Sequence, residues 1–189
     1  MKHSHLYWSD ISVREVYDAR IFRVEMVRRR SAAGSEAEFV RLASPDWANV
    51  LALTTDSRGR ECLVLVRQYR QGADTVTLEI PGGLVDADEA PAAAARRELV
   101  EETGYHASEL VALGSTNPNP AFMMNAVHTF VAVDAERRSD QALDEHEIVD
   151  VELVPVWEIL AMDRPEFNAH AIMLAALAWF RPWYERTRR

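Results

Sequence analysis

Three glutamates, Glu98, Glu101 and Glu102, are crowded into the stretch Arg97-Glu-Leu-Val-Glu-Glu102. Side chains three and four positions apart on an α-helix are neighbours on one face, so on a helix Glu98 would stand beside both of the others. Like charges at that spacing repel. Two or three carboxylate oxygens converging on a helix surface are what a hard divalent cation takes, and Mg²⁺ in particular is held by a few carboxylates while it keeps waters and accepts substrate phosphates. An ordinary solvated acidic face would show the same local composition. The distinction lies in the fixed offsets at which Gly83, Glu89, Arg97, Gly104 and Tyr105 accompany the three glutamates.

Those carboxylates need a helix presented by a tight turn, and the flanking residues supply both. Thr75-Val-Thr-Leu-Glu-Ile80 alternates and is rich in β-branched residues, which predicts a strand, and Pro81-Gly82-Gly83 breaks it. The run Ala92–Ala95 followed by Arg-Arg-Glu-Leu-Val-Glu-Glu is a strong helix former. Asp88 is the expected N-cap, Pro91 suits the first turn and Gly104 is the expected C-terminal stop.

Upstream, residues 13–55 read as β: Phe22, Val24 and Met26 alternate with Arg23 and Glu25, and apolar runs follow at 38–42 and 50–54. Arg28-Arg29-Arg30 meets the Ser31–Gly34 turn, where such runs are usually solvated hairpin ends. Asp56-Ser-Arg-Gly59 is a turn before an apolar strand at 62–69. Beyond the helix, strands are expected at 110–115, 126–133 and 149–154, with a proline-bearing loop at 117–125 and an acidic loop holding Asp144, Glu145 and Glu147. Pro155 should open a short helix to Leu160, and Asn168 should cap a helix from Ala169 to Phe180 that Pro182 stops. The cluster Trp179, Phe180, Trp183 and Tyr184 reads as packing rather than ligand stacking. Strands with helices on either side predict an α/β fold, an α/β/α sandwich on a mixed sheet. The boundary expected from this pass sets a small N-terminal β segment at 1–47 apart from a main domain at 48–189.

The 189 residues carry a formal net charge of −9, which argues against a nucleic-acid partner, since binding the phosphate backbone needs a positive footprint. An anionic small molecule would instead need local cations: a metal and nearby arginines. There is no run of 18 apolar residues and no apolar stretch near Met1, so neither a membrane span nor a signal peptide is expected, and a cytoplasmic location is. Cys62 is the only cysteine; it lies in an apolar run without basic neighbours and reads as core filler. None of the histidines shows metal-ligand spacing beyond His3 and His5 near the start, and His146 lies between two acidic-loop glutamates.

The segment 83–105 fits G-x5-E-x7-R-E-U-x-E-E-x-G-U, where U is hydrophobic, and so resembles the signature of the Nudix hydrolases, with Tyr105 where an aliphatic residue is more usual. The likeness covers about residues 48–180. Arg67-Gln-Tyr-Arg70, Leu78-Glu-Ile-Pro-Gly-Gly83, Pro120, the acidic loop 144–147 and the tail Asn168-Ala-His-Ala are similar to the branch that hydrolyses ADP-ribose and other nucleoside diphosphate sugars. The resemblance implies a Nudix-type sandwich and Mg²⁺-dependent cleavage, with Mn²⁺ as a substitute, of a diphosphate into a nucleoside monophosphate and a sugar phosphate. It also implies that Glu98 and Glu102 bind metal, that Glu101 assists and that the carbonyl of Gly82 completes the site. Gly83, Glu89, Arg97 and Gly104 would be structural, Arg67, Arg70, Leu84 and Pro120 would meet the substrate, and the N-terminal segment would exchange across a homodimer. The catalytic base is expected at Glu145, with Glu147 as substitute and Glu101 after them. The 117–125 loop holds no carboxylate where the branch often has a glutamate, so ADP-ribose, GDP-mannose and other ADP- or UDP-sugars all stay open.

Two rival readings remain. A Nudix-fold binding or regulatory module would bind a nucleotide without turnover, but such modules usually lose the glutamates that are intact here. A hydrolase of nucleoside triphosphates or dinucleoside polyphosphates would share the chemistry and differ in the substrate.

Overall fold

The structure, a computed structural model, describes residues 2–188. The chain forms two compact units, one made of residues up to Pro45 together with Asn117–Asn125, the other of Asp46–Thr116 together with the chain from Ala126 onward.

The first unit is an antiparallel meander of β1 (Trp8–Asp18), β2 (Arg23–Ser31) and β3 (Glu36–Ala43). Gly34 turns the β2–β3 hairpin at φ 91°, a left-handed conformation that costs glycine little. Arg28 and Arg30 both pair with Glu36, and Arg29 pairs with Asp10, so the basic run is a solvated hairpin as its sequence predicts. The outer side of β3 meets the 117–125 loop: Leu42 N–H donates to the Phe122 carbonyl at 2.7 Å and Met124 N–H donates to the Leu42 carbonyl at 3.2 Å. Asn117 closes that loop on itself by donating from Nδ2 to the carbonyls of Met123 and Asn125. β1 is exposed along its whole length, Ile11, Val13, Val16 and Tyr17 included.

The second unit is built on β4 (Trp47–Thr55), β5 (Glu61–Arg70), β6 (Thr75–Glu79), β7 (Gly82–Leu84), β8 (Tyr105–His106), β9 (Glu109–Thr116), β10 (Val127–Val133), β11 (Glu136–Arg137) and β12 (Val149–Pro155). Its helices are α1 (Pro91–Thr103), α2 (Val156–Ala161) and α3 (Ala171–Thr187). The main sheet runs β12-β5-β4-β10-β9, with β10 parallel to β4 and its other pairs antiparallel; β8 and β11 pair separately. Both faces are covered, so the central strands are apolar runs whose alternate residues serve two cores. Leu51, Leu53, Leu63, Leu65 and Val131 pack with Ile159, Met173 and Phe180 of α2 and α3. Val50, Ala52, Val64, Phe130 and Ala132 pack with Ala94, Ala95 and Leu99 of α1. The mixed-sheet α/β/α sandwich is therefore present.

A split in this sheet positions the glutamates. β4 pairs with β5 only over Ala52–Thr55, after which β5 continues with β6 while β4 takes up β7. The Pro81 carbonyl bridges the gap by accepting from Val50 N–H at 3.0 Å. Glu79, Gly82 and Gly83 fall at that split.

Three helix ends differ from expectation. Asp88 is not the N-cap of α1: it sits in a left-handed turn at φ 67°, which aspartate tolerates, and Ala90 holds the cap position without a side-chain bond. Asn168 ends a 3₁₀ turn, Pro165–Asn168, and His170 precedes α3 instead. Pro182 does not stop α3, which runs through it to Thr187. An internal proline costs about 3 kcal/mol, and the packing around it outweighs this. Phe180 is fully buried against Trp183 and Tyr184, the Tyr184 hydroxyl donates to Glu61, and Arg188 pairs with the same carboxylate. Pro91 and Gly104 stand where expected, with Gly104 at φ 72° donating its N–H to the Val100 carbonyl at 2.8 Å.

Candidate active site

Burial of Ala94, Ala95 and Leu99 fixes which way α1 is turned, and Glu98 and Glu102 then meet the Gly82-Gly83 strand. Glu102 Oε2 accepts the Gly82 N–H at 2.9 Å. A Cβ on Gly83 would run into the Glu98 carboxylate, and one on Gly82 would run into the Ala48 carbonyl and Asn49. Both glycines are there because backbone and carboxylates approach too closely for any side chain.

Arg97 ties the preceding loop to the helix. Its Nε and Nη2 donate to the two oxygens of Glu89 at 3.2 and 3.0 Å, and Nη2 also reaches the Leu84 carbonyl at 3.0 Å. Its Nη1 donates to Glu98 Oε1 at 2.8 Å and to Glu101 Oε2 at 3.0 Å. The Arg97 guanidinium beside it holds the Glu89 carboxyl below its ordinary range. Gly104 closes the helix where a Cβ would strike the Ser139 carbonyl.

Charge in this cluster is unbalanced. Glu102 is 5 % exposed, and burial pushes its carboxyl up to about 8 despite the Gly82 N–H, with the charges of Glu98 and Glu147 acting the same way. Burial also raises Glu98, although Arg97 opposes it. No three acidic, cysteine or histidine side chains among the described residues form a ready-made cage. Instead Glu98, Glu101 and Glu102 each spend one oxygen on an N–H donor and keep the other. Three partly engaged carboxylates, with Glu98 and Glu102 pushed toward the neutral form by burial, fit a hard cation that also takes waters and phosphates.

The remaining expected residues divide by position. Arg67 and Arg70, three apart on β5, point to opposite faces. Arg70 donates from Nε and Nη2 to the two oxygens of Glu79 at 2.8 and 2.7 Å, and the charges of Glu102 and Glu147 reach it. Arg67 is not brought to the glutamates: its Nε and Nη1 are taken by Glu152 and Glu166, each at 2.6 Å, in a network that Arg164 extends to Glu158. Of the two loop carboxylates, Glu147 is the one whose charge is felt at Glu98, Glu102 and Arg70, and its Oε2 accepts the Asp144 N–H at 3.2 Å. Glu145 and His146 are exposed. Leu84 ends β7, pairing with Trp47. Pro120 belongs to the other unit, in a cleft lined by Trp8, Arg29, Phe39, Arg41 and Phe122. Glu79, Thr77 and His170 were missed in the sequence, where the available signal was a charged residue between Leu78 and Ile80 in an apolar strand.

The Nudix domain model matches residues 45–177, more than half of the chain. The chain is a Nudix hydrolase. Among its relatives, a methanol dehydrogenase activator from Bacillus methanolicus is 31% identical over 144 residues, covering 75% of each chain. An ADP-ribose pyrophosphatase from Bacillus subtilis (strain 168) is 32% identical over 140 residues, covering 74% of this chain and 72% of that one. A crystal structure of an ADP compounds hydrolase superposes with a TM-score of 0.80 at 27% identity, covering 96% of this chain and 97% of its own. Nudix hydrolases generally need divalent metal ions, in keeping with the carboxylates of α1. No helix among the described residues is long and apolar enough to cross a membrane.

Proposed function

We propose that this Nudix hydrolase cleaves the pyrophosphate bond of a nucleoside diphosphate sugar, such as ADP-ribose or GDP-mannose, to a nucleoside monophosphate and a sugar phosphate. The observation that carries the reading is the pair of half-buried Glu98 and buried Glu102 set against Gly82-Gly83, both with raised pKa, on a chain similar to diphosphate-cleaving relatives. Glu98, Glu102, the second oxygen of Glu101 and the Gly82 carbonyl would hold Mg²⁺, or Mn²⁺ in its place. Such a cation neutralises diphosphate oxygens and lowers the pKa of a bound water. Arg70 offers the guanidinium edge not taken by Glu79 to a substrate phosphate, and Leu84 is a substrate contact. Arg97 and Glu89 hold the loop on the helix, and Arg67, committed to Glu152 and Glu166, serves as a strand clamp. Glu147, ahead of Glu145, accepts the proton of the attacking water, because its charge reaches the carboxylate cluster. Pro120 as a substrate contact follows from the sequence resemblance, and a cytoplasmic location from the lack of apolar runs in the sequence. Intact carboxylates weigh against a binding module without turnover.

A Mg²⁺-supplemented panel of diphosphate sugars, dinucleotides and triphosphates tests the substrate class. At least one diphosphate sugar should exceed every triphosphate by about tenfold or more in kcat/KM, about 1.4 kcal/mol in transition-state binding. A preference for a triphosphate would reverse the assignment.

The protein should also be a homodimer. β1 is a long edge strand with Ile11, Val13, Val16 and Tyr17 exposed, and an uncovered sheet edge invites pairing with another chain. Light scattering should give about twice the 21.4 kDa chain mass. An active monomer at dilute concentration would contradict it.

A further inference from the structure

Arg70 is held from behind by groups that the hydrolytic machinery does not otherwise use. Glu79 is 1 % exposed and meets Arg70 in a two-pronged pair, Nε to Oε1 at 2.8 Å and Nη2 to Oε2 at 2.7 Å. The same carboxylate accepts the Thr77 hydroxyl at 2.5 Å, and His170 Nδ1 lies 3.1 Å from Oε2. Thr77 is itself buried, and His170 is the residue before α3. A buried carboxylate is costly unless paired and hydrogen-bonded, and here Arg70 from β5 and Thr77 from β6 hydrogen-bond one side chain, while His170 at the start of α3 lies against it without completing a hydrogen bond. A two-pronged arginine pair constrains direction as well as energy. With Nε and one edge of Nη2 engaged, Nη1 is left without a partner among the described residues, and it belongs to the guanidinium whose field includes Glu102 and Glu147.

We propose that Glu79, braced by Thr77 and His170, is a positioning residue that locks the Arg70 guanidinium with Nη1 directed at a phosphate oxygen of the diphosphate substrate. The inference rests on the reading of Arg70 as a substrate-binding group. Prealigning that fork removes the rotamer freedom a long arginine would otherwise lose on binding. Burial would favour a neutral Glu79, yet the Arg70 guanidinium and the Thr77 hydroxyl hold its carboxyl below the ordinary range, so the clamp is charged at neutral pH, and burial keeps the His170 pKa low, so that it braces as a neutral ring.

The test is a double-mutant comparison on the full chain with Mg²⁺, using ADP-ribose or whichever diphosphate sugar the panel favours. Arg70→Ala should lower kcat/KM by about 100-fold, the scale of a lost charge-assisted contact. Glu79→Gln should lower it by about tenfold, and Thr77→Val and His170→Gln by about threefold each, mainly through KM. In the Arg70→Ala background all three should have no further effect, because groups acting through one residue are not additive. A merely structural Glu79 would instead lower kcat/KM by the same factor in both backgrounds, which would overturn the inference. So would normal kcat/KM in Glu79→Gln, Thr77→Val and His170→Gln alongside an impaired Arg70→Ala, leaving the Arg70 reading intact. An unimpaired Arg70→Ala would remove that reading and the inference with it. Should Glu79→Gln fail to fold, the near-isosteric Thr77→Val and the half-buried His170→Gln carry the same comparison.

Discussion

Replacing Glu102 by Gln should leave a folded protein whose activity is lower by about a thousandfold, a loss of about 4 kcal/mol of transition-state stabilisation. The amide keeps the shape of the carboxyl, and its oxygen can still accept the Gly82 N–H now 2.9 Å away. What disappears is the charge that offsets a divalent cation. Chelation of divalent metal should silence the unaltered enzyme to a similar depth. A second readout separates lost chemistry from lost fold. Burial raises the Glu102 carboxyl to about 8 from 4.5, so in chelated protein the folded state binds more protons than the unfolded one across that window. Stability of the chelated protein should therefore fall as pH rises from about 4.5 to about 8. In Glu102→Gln that component of the slope should vanish, making the chelated variant at least as stable as the parent at pH 8. Full activity in a folded Glu102→Gln protein would sink the metal assignment, whatever the melting curves show.

Glu147→Gln should reduce kcat by about a hundredfold with little change in KM, the usual scale for loss of a general base. Glu145→Gln should do much less. From sequence the base is expected at Glu145 with Glu147 as substitute, although nothing in Asp144-Glu-His-Glu147 distinguishes the two. Both are exposed, and what favours Glu147 is that its charge raises Glu98 and Glu102. Carboxylates engaged with a cation are poor bases, so the proton needs a separate acceptor, and a polar loop can close over bound substrate. If both single variants and the double variant keep normal kcat, the base lies elsewhere, and Glu101, with its second oxygen unspent, becomes the next residue to replace.

How far the site could be read in advance depended on how local its geometry is. Glu98, Glu101 and Glu102 share a helix face by spacing alone, and Gly104 takes the left-handed conformation that ends the helix. Helix ends were less legible. Asp88 had the chemistry of a cap but was drawn into a left-handed turn, and Pro182 had the chemistry of a stop but was overridden by the burial of Phe180 beside it. Local propensities of one to three kcal/mol, roughly, yield to packing of that size.

The sequence by itself determined the catalytic helix, the turn before it, the alternation that makes a mixed sheet with two covered faces, and the Nudix family, because each depends on residues near one another in the chain. Only the tertiary structure decided what depends on which strands meet. Arg70 and Arg67 are both read as substrate contacts from Arg67-Gln-Tyr-Arg70, yet alternation on β5 sends Arg67 to Glu152 and Glu166 and Arg70 to Glu79. Glu79 and His170 are 91 positions apart and meet only because β6 and the start of α3 come together beside the split in the sheet. Charge and hydrogen bonding act over ångströms rather than along the chain, so the direction of the Arg70 guanidinium was fixed only when those elements folded against each other.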